Sequence, residues 1–445
     1  MKYDYFRSIY LSNRLYALLI ITVLLFVLAQ YFTLLFIAAK FVLIFIVIGF
    51  AVELLLLFQP KTVVLCKRMV PVRLSNGDSN DISLYITNKY PYPVFVEIID
   101  ELPEQFQIRD FYLKADLRPG EEKSFFYRLK PVERGEYQFG HVNIYVSLLL
   151  KLVKRRYKSG QPEIVPVYPS YLQMHKYGIF AISDKLTEVG IKKIRRIGHH
   201  YEFDQVKEYV KGDDYRTINW KATSRRSQLM VNQYLDERAQ CIYCIIDKGR
   251  LMEKAFKGMT YLDYAVNSSL VLLNIALQKY DKAGLVTFNT RVDTFLPAER
   301  KNTTINKILE SLYNQKTSFS ESNFELLYVN LKNKIKQRSL LVLYSNFGGL
   351  VSLNRNIDYL KGLAKSHLLL FILFKNTEIN DLIAKYPSTL EDVYISTIAE
   401  KFEYEQKLLA AELNRHGIYT VLTAPENLTL DLINKYFEFK SLGFI

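Results

Sequence analysis

Cysteine, tryptophan, proline and glycine are all scarce in this chain of 445 residues. Its three cysteines, Cys66, Cys241 and Cys244, are too few for a disulfide framework. That fits a reducing compartment or indifference to redox. With 18 glycines and 13 prolines, collagen-like and proline-rich classes are excluded. The usual catalytic signatures are missing as well. There is no G-x-x-x-x-G-K-[ST] phosphate loop and no G-x-G-x-x-G fingerprint, and no G-x-S-x-G elbow. His141, His175, His199, His200, His367 and His416 show no zinc-ligand spacing with a cysteine or carboxylate. Nothing pairs a nucleophile with a base, so no catalytic residue and no cofactor is expected. Acidic residues are also in deficit: 45 Asp and Glu face 59 Lys and Arg, and the net charge of +14 favours anionic surroundings such as phospholipid headgroups or nucleic acid.

What the chain has in quantity is apolar sequence, 49% of its residues, enough to bury a core and exclude disorder as the main state. It is concentrated near the N-terminus. Between Leu15 and Phe58 the only formal charges are Lys40 and Glu53. That run accommodates two bilayer crossings of about 20 residues each, turning either at Gln30-Tyr31-Phe32-Thr33 or around Lys40. A soluble helical hairpin needs a polar face, and this one has none. A signal peptide fits poorly, because its apolar region is roughly 7–15 residues and ends at a small-residue cleavage site. Lys2, Arg7 and Arg14 precede the run, and Lys61, Lys67 and Arg68 follow it. Cations on both flanks predict a cytoplasmic location for both, hence an inner-membrane protein with both termini cytoplasmic and the lipid bilayer as a partner. Glu53 reads as a carboxylate near the interface or paired within the hairpin.

Four regions follow: a membrane hairpin over residues 1–60, a β-sandwich over 61–168, a charge-dense linking segment over 169–239, and a doubly wound α/β domain over 240–445. The sandwich expectation rests on short β-branched or aromatic runs such as 82–87, 94–99 and 124–129, separated by turn signals such as Asn76-Gly77-Asp78 and Pro119-Gly120; no titratable cluster is evident within it. The segment 169–239 reads as irregular. From Gln240 onward, near-continuous apolar strands alternate with helical patterns, which predicts a parallel sheet between helical layers. Expected strands are 241–246, 283–288, 340–344, 368–374 and 418–422. Expected helices are 261–278, 304–313, 324–335, 357–364 and 399–414. The ligand crevice of such a fold lies at the carboxyl ends of its strands, near Asp247 and Asn346.

Individual motifs carry little chemistry. Cys241-x-x-Cys244 lies on an expected strand, where residues three apart point to opposite faces, so both read as buried small hydrophobes. Lys211-Gly212-Asp213-Asp214 offers paired carboxylates, but a two-metal site needs a further carboxylate strand, and Arg216, Lys221, Arg225 and Arg226 follow at once. Cations between Lys192 and Arg226 are interleaved with Tyr201, Phe203, Tyr209, Tyr215 and Trp220, as in nucleic-acid grooves. The acids among them favour a lattice of ion pairs that braces the fold around a buried Trp220, or a partner surface, over nucleic acid.

The same segment resembles a bacterial family known only as domain of unknown function 58. Glu202-Phe203, Glu208-Tyr209, Gly212-Asp213-Asp214, Arg216, Ile218, Trp220-Lys221-Ala222 and Arg225 follow one another with that family's spacing. Lys207, Asn219 and Ser224 replace its usual Arg, Asp and Ala. Arg134-Gly135-x-Tyr137-x-Phe139-Gly140 resembles its upstream β-domain motif. The resemblance implies a von Willebrand factor A-like C-terminal domain, whose metal-dependent adhesion site uses D-x-S-x-S, a Thr and a second Asp. Here those positions are Asp247, Gly249, Leu251, Ser322 and Asn346. A hard cation needs several oxygen ligands, and Gly249 and Leu251 supply none, so the site is expected to bind no divalent metal, with Asp247 capping a helix or pairing a neighbouring cation. The resemblance further implies a MoxR-type AAA+ ATPase and a client protein as partners. The expected function is a non-enzymatic, membrane-anchored adaptor in envelope or complex maturation. The alternatives are a protein that binds nucleic acid or lipid, and a hydrolase using Asp213, Asp214 or Asp247.

Overall fold

A computed structural model describes residues 8–59, 63–182, 202–210, 213, 215–226, 228–235, 239–301, 303–378 and 389–444. The chain forms two compact units that divide between Tyr168 and Pro169.

The first unit joins two apolar helices to a β-sandwich. Helix α1 (Asn13–Leu28) is connected through residues 29–32 to α2 (Thr33–Leu57), and the two pack together. The turn is therefore the first of the two sequence candidates. Residues Leu34–Leu57 are long and apolar enough to cross a bilayer, and most of their side chains are not buried by protein. The expectation of two crossings is met in length by this helix alone, since α1 has 16 residues. Its N-terminus is capped by Ser12, whose hydroxyl accepts from the Leu15 N–H at 3.3 Å.

Strands β1 (Ile9–Leu11), β5 (Val94–Asp100), β6 (Leu113–Leu117), β9 (Val142–Ser147) and β10 (Val153–Ser159) form one sheet in the order β1-β10-β9-β5-β6. Strands β2 (Val64–Met69), β4 (Asn80–Asn88) and β7 (Glu122–Leu129) form a second, and β3 (Leu74–Ser75), β8 (Gly135–Phe139) and β11 (Glu163–Tyr168) a third. Alternation sets the faces: Leu84 and Ile86 of β4 and Val94, Val96 and Ile98 of β5 point into one core, and Ile82 of β4 into a second with Tyr137 and Phe139. The glycine-rich motif is structural. Tyr137 and Phe139 fill the core, Gly135 has φ +136°, and a Cβ on Gly140 would lie 2.5 Å from Glu101 Oε2.

The sequence reading found no titratable cluster here, and the fold corrects it. Arg68, Asp100, Tyr127 and Cys66 converge across three strands. Arg68 pairs with Asp100 at 2.6 Å, both side chains buried, and the Tyr127 hydroxyl donates to the same carboxylate at 2.5 Å. Burial pushes the Cys66 thiol up to about 12. Arg68 is therefore not a free cation flanking the membrane run.

In the second unit, helix α3 (Tyr171–Ile182) is followed by β12 (Glu202–Glu208), α4 (Trp220–Arg226) and β13 (Met230–Leu235). The segment read as irregular thus contains two helices and an antiparallel pair, β12 with β13. Then come β14 (Cys241–Asp247), the short pair β15 (Ala255–Phe256) and β16 (Met259–Thr260), α5 (Tyr261–Gln278), β17 (Lys282–Phe288), β18 (Val292–Glu299), α6 (Thr304–Tyr313), α7 (Phe324–Lys334), β19 (Leu340–Tyr344), α8 (Leu350–Ser366), β20 (Leu368–Phe374), α9 (Leu390–Arg415), β21 (Tyr419–Thr423) and α10 (Leu428–Ser441). The sheet order is β18-β17-β14-β19-β20-β21, parallel except for β18 at one edge. The edge strand escaped the sequence reading because it is half-buried and carries Pro297, which an edge tolerates.

Helices α7, α8 and α9 cover one face of the sheet in a single apolar cluster with Tyr243, Ile245 and Leu343. Helices α5, α6 and α10 lie on the other side, and α3 packs on α5. Cys241 and Cys244 are buried free thiols on opposite faces of β14, and burial raises Cys244 to about 12. Helix α8 starts seven residues before the expected 357 and α9 nine before the expected 399.

Candidate interaction site at the strand ends

Neighbouring strands β14 and β19 lead away in opposite directions: β17 follows β14 to one side, and β20 and β21 extend the sheet to the other. A crevice opens where such strand ends part. Its volume is about 660 Å³, and Asp247, Gly249, Arg250, Leu251, Ser322 and Asn346 line it, with Val351 and Arg355 of α8 on its rim. The positions singled out in sequence are thus brought together.

Their bonding differs from the expectation. Among the described residues, Asp247 neither caps a helix nor meets a cation. Its Oδ1 accepts from the Ser322 hydroxyl and from the Gly249 N–H at 2.7 Å, and its Oδ2 accepts from the Ser345 hydroxyl at 2.5 Å. Sequence reasoning missed Ser345; its only signal was a hydroxyl at the end of an apolar strand. Gly249 has a steric reason, because a Cβ there would collide with Ser322 Oγ. The loop carrying Ser322 is zipped to this turn: Ser318 N–H donates to Lys248 O at 2.7 Å, and Arg250 N–H to Ser320 O at 3.1 Å. Lys248, next to Asp247 in the chain, pairs with Asp293 on β18 at 2.5 Å.

These residues do not fit an adhesion-type divalent site. The carboxylate is the single formal negative charge among the expected ligands, both its oxygens already accept hydrogen bonds, and Arg250 lies on the same rim. Among the described residues, no three His, Cys, Asp or Glu side chains are grouped to hold a metal. Calorimetric titration with Mg²⁺ or Mn²⁺ is expected to give no heat of binding at micromolar metal; binding that vanishes in Asp247→Ala contradicts this geometry.

Burial pushes the Asp247 carboxyl above its ordinary range, against the pull of the Ser322, Ser345 and Gly249 donors. A carboxyl raised by folding contributes stability below its unfolded pKa and loses it as pH climbs through the folded one. Stability is therefore expected to fall, through this group, as pH rises from about 4, and Asp247→Asn to flatten that part of the pH profile. Equal pH slopes in thermal melts of the two proteins contradict it.

The signature segment is less buried than expected. Trp220 is 70% exposed, so it is not a core brace. Tyr215 is exposed too, with Arg216 5.7 Å over its ring. Asp213 accepts from the Val210 N–H at 3.0 Å and pairs with Lys207 at 3.0 Å, which hold its carboxyl below the ordinary range. Lys221 and Arg225 line a shallow groove beside α4. The backbone of Glu202, Phe203 and Glu208 lies in β12, followed by Tyr209, whose N–H donates to Leu229 O at 2.8 Å. Gly212, Asp214, His199 and His200 lie outside the described residues. Trp220→Ala is expected to change stability by less than about 1 kcal/mol; a loss of about 3–5 kcal/mol in denaturant unfolding, the cost of a buried aromatic, contradicts the exposed position.

Comparison with known proteins matches this segment from Gln205 onward together with much of the α/β region that follows it. Residues 205–378 match the family described as "Protein of unknown function DUF58". The match takes in Trp220, Asp247, Ser322 and Asn346. The chain is also similar to "Uncharacterized protein YeaD" of Bacillus subtilis (strain 168), with 24% identity over 250 residues, covering 54% of this chain and 60% of that protein. It thus spans less than two thirds of that relative's length. Solved structures overlap it only in part. The ASH/PapD-like domain of human CEP192 covers 25% of this chain and 90% of its own, at 11% identity and TM-score 0.20. Native alpha-2-macroglobulin from Escherichia coli covers 24% of this chain and 17% of its own, at 18% identity and TM-score 0.20.

Proposed function

We propose that this chain is a membrane-anchored, non-enzymatic interaction protein that presents the strand-end crevice of its α/β unit to protein partners without a bridging metal. The observation that carries the anchor is the way α2 is built into the sandwich. Glu53, buried within the apolar helix, accepts the backbone N–H groups of Lys151, Leu152 and Val153 at 2.9, 2.8 and 3.1 Å. The last carbonyls of α2 are also engaged: Leu57 O by the Tyr90 hydroxyl and Arg155, and Leu56 O by the Tyr92 hydroxyl. A helix joined in this way is part of the folded protein, as an anchor must be and a removed leader is not. Strand β1, just before α1, pairs with β10, so both ends of the helical pair return to the sandwich. This supports two crossings with both flanks on one side. Arg14, Lys151 and Arg155 put cations there, which supports the cytoplasmic side of the inner membrane.

The sheet order, with its antiparallel edge strand, supports the von Willebrand factor A-like assignment, and the exposed Val351 on the crevice rim supports a contact surface. The partners in this reading are a MoxR-type AAA+ ATPase and its client. The test is a pair of C-terminal fusions to the full chain. A fluorescent-protein fusion should glow in a membrane fraction that resists alkaline carbonate, and a phosphatase fusion should be inactive. An active phosphatase, or release by carbonate, overturns the anchor or its topology.

A second reading is favoured by the exposed Trp220 and Tyr215 beside Arg216, Lys221 and Arg225: binding of an anionic polymer. A steep fall of nucleic-acid affinity with salt selects it.

A further inference from the structure

We infer that the turn between β9 and β10, Leu148-Leu149-Leu150, is a lipid-inserting wedge that seats the sandwich in the interface of the bilayer crossed by α2. The inference rests on the membrane reading above and goes beyond it, because it assigns a second lipid contact to a part of the chain far from the apolar run.

The sequence of the turn is unusual for its place. Hairpin turns are ordinarily polar, with Gly, Asn or Asp at their tips, whereas this one offers three consecutive leucines. Leu148 is buried beneath the sandwich, but Leu149 is 78% exposed and Leu150 42%. Contacts to α2 fix the height of the turn. Leu150 Cδ1 lies 3.3 Å from where a Cβ on Gly49 would be, and Leu152 Cδ1 lies 3.5 Å from it. The Glu53 carboxylate holds the following backbone one turn higher. Ser12, at the start of α1, closes the other side: its N–H donates to Leu152 O at 3.1 Å and its hydroxyl to Lys151 O.

Rise along the helix converts these contacts into depth. At 1.5 Å per residue, Gly49 stands about 12 Å inside the Leu57 end and about 24 Å from Thr33 at the opposite end. The hydrocarbon core of a bilayer is about 30 Å thick. A slab that starts at the connection between the helices therefore extends past Gly49 and takes in the turn beside it. Tilt of α2 only increases that reach. Just above the leucines stand the residues suited to the headgroup level. Lys151, at φ +57°, places its ammonium 3.4 Å over the Phe95 ring, and Arg155 lies 4.5 Å over Phe58, close to Tyr90 and Tyr92. Cations and tyrosines above an apolar tip form the sequence of layers that an interface selects. One apolar cluster also runs without interruption from Val42 and Ile46 of α2 through Leu148 and Leu152 into the core of the sandwich.

The chain's single tryptophan makes the test direct. In the full-length Trp220→Phe background, one indole is introduced by Leu149→Trp, by Phe41→Trp in the middle of α2, or by Phe126→Trp. Phe126 is an exposed aromatic on β7, in register through Ser83 with Met69, the end of β2 away from α2. Each protein is reconstituted into phosphatidylcholine–phosphatidylglycerol vesicles containing lipids brominated either high or low on the acyl chain. The expected result is loss of Leu149→Trp emission with high-brominated lipid, loss of Phe41→Trp emission with low-brominated lipid, and no loss for Phe126→Trp. Quenching at 41 without quenching at 149 overturns the wedge and leaves the anchor standing, as does equal quenching at 149 and 126. No quenching at 41 overturns the membrane reading and the wedge with it.

Discussion

Glu53→Ala is expected to destabilise the sandwich unit by about 3–5 kcal/mol. The carboxylate is the acceptor for three successive backbone N–H groups, two of them fully buried. A buried donor left without a partner costs about 1–3 kcal/mol, and Glu53 itself is buried at this junction. Glu53→Gln keeps one acceptor oxygen and turns a donor toward the same amides, so its cost is expected to be intermediate. Denaturant unfolding in mild detergent gives the magnitude. Amide exchange gives the place: the N–H groups of Leu152 and Val153 lose protection first. Unchanged protection in Glu53→Ala shows that the carboxylate does not hold the turn.

The second large effect is expected inside the sandwich. Removing one member of a buried ion pair leaves an uncompensated charge and costs about 3–5 kcal/mol. Asp100→Ala does this to Arg68, which among the described residues retains the Gly140 carbonyl, 3.0 Å away, and the Phe139 ring. Burial pushes the Asp100 carboxyl up, while Arg68 and the Tyr127 hydroxyl pull it down. Burial, together with the neighbouring carboxylate, drives Tyr127 upward as well. The combined replacement Arg68→Met with Asp100→Leu is expected to be much milder, because apolar side chains of similar volume need no partner. Thermal melts of the three proteins decide it; a double variant as unstable as Asp100→Ala contradicts the account.

Much of this architecture was legible because its signals are periodic. The strands at 340–344 and 368–374 are uniformly apolar and buried on both faces, as five-residue and seven-residue runs of that kind suggest. Helix starts were harder. Residues 389–392 carry a capping box, in which Thr389 and Asp392 bond reciprocally, and that pattern marks the start of α9 where hydrophobic periodicity alone does not. At the crevice, Asp247, Ser322 and Asn346 could be named from a resemblance, but Ser345 and the engagement of Lys248 by Asp293 depend on which strands become neighbours. The same limit explains Glu53 and Arg68. A carboxylate in an apolar helix looks like an interface residue until a turn about a hundred residues later meets it. An arginine eleven residues beyond α2 counts as a membrane-flanking cation until Asp100 removes it from that role. Trp220 misled in the opposite direction, because size argues for burial and nothing local reveals that α4 is only seven residues long and leaves the indole outside.

The central claim is that partners dock at the strand-end crevice without a metal, from a chain held in the membrane. A photoreactive amino acid placed at Val351, on the crevice rim, tests it most directly, with Tyr280, exposed at the opposite end of the strands, as the control position. After irradiation of native membranes, the account predicts a discrete protein adduct from position 351 that persists in excess chelator, and none from position 280. Equal adducts from both positions, no adduct from 351, or an adduct abolished by the chelator contradicts it.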